Sequence, residues 1–214
     1  HPSISISPGG KVAIILSTYD WGVDAAHIVS RTGAYNQATN GGYTDLFLML
    51  LDNSYNQMWG TFLGGPGTQE DPHVCFDNNE NIFFVGEVNW LSGSTPSSEQ
   101  LVDPGGGAYY QSTDDSEDVM FGKFNSSGSL VWNTLYGGNG YDGIDSRMGN
   151  GSKVVVNPNT NDLIVIGGTN SDNLPLKVMP GAYNTTVPSN VDPSGGSYND
   201  FSSFILKFSN SGVW

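Results

Sequence analysis

The sequence repeats a Gly-Ala-Tyr triplet three times at a constant interval. The triplets begin at Gly33, Gly107 and Gly181, so each copy lies 74 residues after the one before it. A period of this length is typical of a chain that is built from successive supersecondary units. Since one such unit cannot bury its apolar face alone, the repeat predicts units that stack on one another.

Other features recur in the same order around each triplet. Two short apolar strands joined by a polar turn come before it, and an aspartate opens a third strand after it. In the first two copies, a turn then leads to a fourth strand that contains a tryptophan and ends in Gly-Gly. The recurring side chains are Tyr35, Tyr109 and Tyr183, then Asp45, Asp118 and Asp200, and finally Trp59 and Trp132.

The spacing of these strands predicts the fold class. The turns within each hairpin are about four to six residues long, too short for a parallel crossover, so the strands are predicted to be antiparallel. With 29 glycines and 11 prolines, the composition favours many turns over long helices. Four antiparallel strands and a tryptophan per repeat are typical of a β-propeller blade. A β-solenoid fits less well because its repeats are normally about 20 to 30 residues long.

We therefore predict an all-β fold of three four-stranded antiparallel blades that belong to a larger β-propeller. The predicted blades span residues 1–65, 66–138 and 139–214, and the third is incomplete at its C terminus. Two open ends would leave apolar sheet faces in water. We expect further blades of a longer chain, or a partner, to cover them.

Longer motifs extend the similarity between the second and third copies. Residues 123–132 read Lys-Phe-Asn-Ser-Ser-Gly-Ser-Leu-Val-Trp and lead into Leu-Tyr-Gly-Gly at 135–138. The third copy has Pro-Gly-Ala-Tyr at 180–183 and Lys-Phe-Ser-Asn-Ser-Gly at 207–212. These motifs resemble the SBBP-type β-propeller repeat of secreted and surface proteins of bacteria, notably the Bacteroidota. The resemblance implies a blade architecture and a secreted or cell-surface location, and it implies no catalytic residue. The first copy departs from it, with Leu-Leu-Asp at 50–52 and a turn without glycine.

The charge balance limits the partners. Seven Lys+Arg against 21 Asp+Glu give a net charge of −14, which repels nucleic acids and anionic membranes. The longest apolar run, residues 46–51, is far shorter than the roughly 20 residues that cross a bilayer. We predict neither a nucleic-acid partner nor direct membrane insertion.

No catalytic template is found in the sequence. Gly-x-Ser-x-Gly, His-Glu-x-x-His and the Walker loop are all missing. The single cysteine, Cys75, lies in an alternating strand near His73 and is interpreted as a small buried apolar residue. One aspartate per repeat does not supply the six or more oxygens that calcium requires. We predict no catalytic residue, no metal and no cofactor.

The recurring side chains are interpreted as structural. Trp59 and Trp132 are expected to pack between neighbouring sheets rather than to stack on carbohydrate, because they recur at one place in each repeat. The tyrosines are expected to pin a long loop onto its own sheet with the hydroxyl on the backbone. The aspartates are expected to accept backbone N–H groups in that loop.

The second and third strands of each repeat are joined by long connections, about 18–44, 89–117 and 170–199. Connections much longer than about 15 residues are usually functional or packed excursions. All three must emerge on the same side, as loops of a binding face do. The candidate ligand-binding residues there are Trp21, His27, Trp90, Asp114 and Asp115, although the acidic run 114–118 also suits a solvated loop.

Three hypotheses about function follow. The first is a non-enzymatic interaction or scaffold module of an exported bacterial protein that binds a protein or glycan through its long-loop face. The second is the propeller portion of a larger secreted hydrolase or lyase whose catalytic residues lie outside this segment. The third is a structural role in an adhesin or a secretion machine. The sequence favours the first hypothesis.

Overall fold

The computed structural model describes residues 2–19, 28–90, 101–113, 116–143, 151–177 and 202–214. Throughout these residues the regular structure is β-strand, which confirms the predicted all-β antiparallel class. The strands are β1 (Ser3–Ile6), β2 (Val12–Tyr19), β3 (Thr44–Leu51), β4 (Gln57–Leu63), β5 (Gly67–Phe76), β6 (Ile82–Trp90), β7 (Glu117–Phe124), β8 (Leu130–Tyr136), β9 (Asp142–Gly143), β10 (Lys153–Val156), β11 (Leu163–Thr169) and β12 (Ser202–Phe208).

Consecutive strands pair as antiparallel meanders. The first sheet runs β1-β2-β3-β4 and the second β5-β6-β7-β8. The third runs β10-β11-β12, and the short β9 also pairs with the end of β11. A parallel bridge between Thr44 and Thr68 joins the first two sheets, and a bridge between Glu117 and Tyr141 occurs at the corresponding place one repeat later.

The three sheets pack face to face through two apolar clusters. Side chains of a strand alternate between its two faces, and β6 shows the result. Phe84 belongs to the cluster shared with the first sheet, whereas Phe83 and Val85 belong to the cluster shared with the third. The middle sheet is therefore buried on both faces.

The first strand of each sheet contacts its counterpart in the next sheet. The Val74 amide of β5 donates to the Ser3 hydroxyl of β1 at 3.3 Å. The Val154 amide of β10 donates to Nδ1 of His73 in β5 at 3.4 Å. These strands form a row along one side of the stack, and the later strands of each sheet follow in order across it.

A tryptophan–glycine clasp joins the first sheet to the second. Trp59 of β4 is buried against Gly128, which lies in the β7–β8 turn with φ of 90°. A Cβ at Gly128 would overlap the indole nitrogen of Trp59. The Tyr35 amide donates to the Gly128 carbonyl at 2.9 Å. Only glycine lets the indole approach the turn this closely.

The same clasp joins the second sheet to the third. Trp132 of β8 is buried and contacts the turn at Gly212, whose φ is 82°. The Tyr109 amide donates to the Gly212 carbonyl at 3.3 Å. The two clasps share a buried tryptophan and the bond from a tyrosine amide to the glycine carbonyl, and both tryptophans lie between neighbouring sheets. The second clasp is looser, because a Cβ at Gly212 would lie 3.4 Å from the Trp132 indole, an ordinary contact distance.

The corresponding turn of the first sheet has a tyrosine in place of the glycine. Tyr55 adopts φ of 65°, and its amide donates to the Asp52 carbonyl at 3.0 Å, as Gly128 does to Asn125 at 2.9 Å. Its side chain is 75 % exposed. A non-glycine residue in the left-handed region costs on the order of 1 kcal/mol. The turn at Tyr55 therefore has the same backbone conformation as the turn at Gly128, but its backbone is strained.

Connections alternate between the two ends of the sheets. The short turns, including 7–11 and 52–56 of the first sheet, lie at what we call the short-turn end. The connections β2–β3, β6–β7 and β11–β12 lie at the opposite end, which we call the long-loop end. The links between repeats, 64–66 and 137–141, also lie at the long-loop end.

Equivalent turn positions should respond differently to substitution. We expect Gly128→Ala to destabilise the protein by about 2–5 kcal/mol, because it adds left-handed strain and overlap with Trp59. We expect Tyr55→Gly to change stability by less than about 1 kcal/mol, because relief of strain offsets the flexibility of glycine in the unfolded chain. Chemical denaturation of both variants measures the difference, and similar losses for the two would contradict the clasp.

Candidate functional site

A tyrosine, a glutamine, an aspartate and a threonine form one hydrogen-bond network at the long-loop end of the first sheet. The Tyr35 hydroxyl donates to Oε1 of Gln37 at 3.2 Å. The Gln37 amide side chain donates to Oδ2 of Asp45 at 2.7 Å. The Gln37 backbone N–H donates to the Thr61 hydroxyl at 2.8 Å. We call this network the Tyr-x-Gln anchor.

The second sheet repeats the anchor with Tyr109, Gln111, Asp118 and Thr134. The three corresponding distances are 2.7, 2.6 and 2.8 Å. The glutamine was not predicted from the sequence, although it stands two residues after the tyrosine in both copies. The expected backbone partner of the tyrosine hydroxyl is replaced here by a side chain. Both half-buried tyrosines occupy equivalent places, whereas Tyr183 lies outside the described residues.

The anchor holds the long connection along the edge of the last strand. In the first sheet the Gly60 and Phe62 amides of β4 donate to the carbonyls of Val29 and Gln37 at 3.0 and 3.1 Å. The same pair of bonds forms at β8 in the second sheet. An uncovered edge strand invites pairing with other chains. The described parts of the first and second long connections therefore each cover a sheet edge.

The anchor also accounts for the first glycine of the recurring Gly-Gly pairs. Asp45 and Asp118 are fully buried, and Asp45 accepts the Gly41 amide at 2.9 Å, as predicted for a loop-holding aspartate. A Cβ at Gly64 or at Gly137 would collide with the carboxyl group of the aspartate in the same sheet. Each glycine leaves the space that a buried carboxylate occupies. The third recurring aspartate, Asp200, lies outside the described residues.

Removal of the anchor glutamine should leave a buried carboxylate short of a donor. We expect Gln37→Ala to destabilise the protein by about 1–3 kcal/mol, the cost of an unsatisfied buried polar group. The neighbouring Asn36 is exposed, so Asn36→Ala should stay within about 0.5 kcal/mol of the parent protein. Urea denaturation of the two variants makes the comparison, and an equal effect would show that the anchor carries no stability.

The structure does not bring the sequence-predicted ligand-binding residues together into a described site. Trp21, His27, Asp114 and Asp115 lie outside the described residues. Trp90 is the last residue of β6, where its backbone pairs with Gly67, and its side chain is likewise outside the described part. These candidates stay predictions.

Two other aromatic side chains are exposed at the long-loop end. Tyr19 ends β2 and Tyr43 precedes β3, and their rings meet edge to face with centroids 5.7 Å apart. They are 48 % and 70 % exposed. In the second sheet the corresponding positions are Asn89 and Ser116, so the pair does not recur. This lack of recurrence is why the sequence repeats did not reveal it.

A buried aspartate holds the link between the second and third sheets. Oδ2 of Asp142 accepts the Gly138 amide and the Ser171 hydroxyl, both at 2.6 Å. Burial raises the pKa of this carboxyl group, and the hydrogen bonds only partly oppose that effect. The preceding link has a neutral side chain at this place, where Gln69 accepts the Gly65 amide at 3.2 Å.

Asp142 should make stability depend on pH. Its folded pKa is raised above the unfolded value of about 3.9. Between these two values the folded chain holds more protons, so its stability falls as pH rises. Asp142→Asn keeps an acceptor oxygen and removes the ionisation. We expect the melting temperature of this variant, relative to the parent protein, to increase from pH 4 to pH 7.

Thermal melts across that pH range test this expectation. Asp103→Asn is the matched control, because Asp103 is exposed and the substitution changes the net charge equally. The control should show no comparable trend. A relative melting temperature of Asp142→Asn that falls towards pH 7 would show that the carboxylate is stabilising when charged.

Polar contacts at the short-turn end also join neighbouring repeats. Lys11 and Glu80 form an ion pair at 2.5 Å, and the hydrogen bond from Lys11 lowers the pKa of Glu80. Between the second and third sheets, the Lys123 ammonium donates to the Asn210 side chain. These two residues also line an open cleft of about 500 Å³ beside Trp132. The short-turn end is thus occupied by contacts between repeats.

Cys75 and His73, two potentially reactive side chains of β5, have structural roles. Burial and the nearby Asp77 raise the pKa of the Cys75 thiol to about 12, so it stays protonated at neutral pH. His73 uses Nδ1 to accept the Val154 amide. Among the described residues, no three His, Cys, Asp or Glu side chains are grouped to hold a metal ion. The described part also contains no helix that is long and apolar enough to span a membrane.

No protein-family model and no curated protein matches the chain. The resemblance to the SBBP-type repeat therefore stays a prediction. A functional proposal must accordingly rest on the geometry described above.

Proposed function

We propose that the chain is part of a β-propeller in an exported bacterial protein and serves as a non-enzymatic interaction module. In this proposal, blades 1–65, 66–138 and 139–214 present the long-loop end to a protein or glycan partner. One observation carries the proposal. The recurring side chains within the described residues are engaged in the fold, whereas the exposed side chains that do not recur include an aromatic pair at the long-loop end.

The propeller part of the proposal is supported by the repeated relation between neighbouring sheets. The same clasp connects the first sheet to the second and the second to the third. The first strands of the sheets, β1, β5 and β10, contact one another in a row. A constant relation between successive antiparallel units generates a ring when its rotation closes, and a closed ring is the arrangement that we propose.

The two outer sheet faces support continuation or capping. Ile4 and Ile6 on the first sheet are 65 % and 69 % exposed, and Ile205 on the third is 76 % exposed. Val155 and Ile166 lie beside it on the same face. Exposed apolar faces of this kind mark interaction surfaces. We propose that further blades or a partner cover both faces.

The positions of three buried aspartates support the proposal that the module is non-enzymatic. Asp45, Asp118 and Asp142 are buried and bind backbone or side-chain donors of the connections. In these positions they shape the loops and do not face solvent as a catalytic pair would. The net charge of −14 favours neutral or basic partners over anionic ones.

Binding followed by mapping tests the proposal. The full chain is applied to an oligosaccharide array and a peptide array, and hydrogen–deuterium exchange is measured with the strongest binder. We expect protection at residues 36–43 and 170–177 of the long-loop end and none at the short turns 52–56 and 125–129. Protection confined to the short turns, binding to neither array, or release of reducing ends from a polysaccharide would overturn the proposal.

A further inference from the structure

We propose that Tyr19 and Tyr43 form a binding site for a neutral saccharide. The inference rests on the proposed function and names the class of ligand for the long-loop end. It begins from the edge-to-face ring pair, which is exposed on the first sheet and has no counterpart on the second.

The pair is not needed for the packing of the repeats. The second sheet has Asn89 and Ser116 at these places and still forms the same ladder, anchor and clasp. Tyr43 is largely in water and Tyr19 is about half exposed, and neither belongs to the two core clusters. An aromatic pair kept exposed without a packing role is typical of a recognition surface.

The backbone fixes the pair before any ligand arrives. Tyr19 lies in the β2–β3 ladder opposite Thr44. The Tyr43 amide donates to the Gly67 carbonyl at 2.8 Å, and the Asn40 side chain donates to the Thr18 carbonyl at 3.1 Å. These bonds hold both ends of the connection in place. A preorganised surface loses less conformational entropy on binding.

The chemistry around the rings favours a neutral sugar. The described residues that flank the pair, at 18 and 40–44, are threonine, asparagine, glycine and tyrosine, and they carry no charge. The next charged residues along the sequence, Asp20 and Asp45, are acidic and so disfavour an anionic ligand. A saccharide ring offers an apolar C–H face to an aromatic ring and hydroxyl groups to the polar rim. A tyrosine matches both properties because its body is apolar and its tip is polar. The net charge of −14 disfavours acidic sugars.

The test uses the full chain and four neutral probes: cellohexaose, chitohexaose, xylohexaose and mannohexaose. Binding is measured by calorimetry for the parent protein and for Tyr19→Ala, Tyr43→Ala, Tyr43→Phe and Tyr55→Ala. We expect at least one probe to bind and each alanine change in the pair to weaken it tenfold or more. Tyr43→Phe keeps the ring and should weaken it less than threefold.

Tyr55→Ala is the matched control, because Tyr55 is an exposed tyrosine of the same sheet at the short-turn end. It should leave the affinity unchanged. Proton NMR of the unmodified protein gives a second readout that does not depend on the folding of a variant. The bound probe should shift the ring resonances of Tyr19 and Tyr43 and leave those of Tyr55 in place.

Several results would overturn the inference and leave the proposed function intact. One is an exchange footprint at the long-loop end from a peptide while none of the four saccharides binds. Another is saccharide binding that survives both alanine variants with unshifted Tyr19 and Tyr43 resonances. A footprint of every binder at the short-turn end would instead overturn the inference together with the proposed function.

Discussion

The close approach of an indole ring to a glycine in the next sheet determines how the first two repeats fit together. At Gly128 the missing side chain admits Trp59, and the carbonyl of the same glycine accepts the Tyr35 amide. Tyr35 belongs to the long connection of its own sheet, where its hydroxyl bonds to Gln37. Sheet stacking and loop placement are therefore coupled through Tyr35. Its backbone amide bonds to the next sheet, and its hydroxyl holds the long connection of its own sheet.

The outer face of the first sheet differs from the two internal interfaces at the turn position that Gly128 and Gly212 occupy. Tyr55 has the left-handed backbone of Gly128 but also has a Cβ. An indole placed on Tyr55 as Trp59 is placed on Gly128 would overlap that Cβ. The apolar face around Ile4 and Ile6 consequently cannot be covered by a clasp as close as the one at Gly128. A looser contact of the kind made at Gly212, where a Cβ would lie 3.4 Å from the indole, is still compatible with Tyr55.

The strands could be predicted from the sequence because their apolar residues alternate and recur. Single polar contacts could not be predicted, because they leave no such pattern. β5 is the instructive exception. Its apolar run covers only 74–76, but the strand begins at Gly67 and contains a bulge between Glu70 and His73. Gln37 was missed because a loop amide has no pattern that reveals a buried carboxylate partner. The pair of Tyr19 and Tyr43 could not be predicted from the repeats because neither residue recurs.

Recurrence separates two kinds of constraint in such a chain. A recurring position, such as that of Asp45 and Asp118, makes the same contact in both repeats. That contact restricts which side chain can occupy the position. A position can also keep the contact while its chemistry changes, as Gln69 and Asp142 do when they accept the same kind of glycine amide with different charge. Exposed positions that do not recur are restricted neither by a shared contact nor by a shared side-chain type. Properties peculiar to one repeat, including recognition of a ligand, can therefore change there without disturbing the stack.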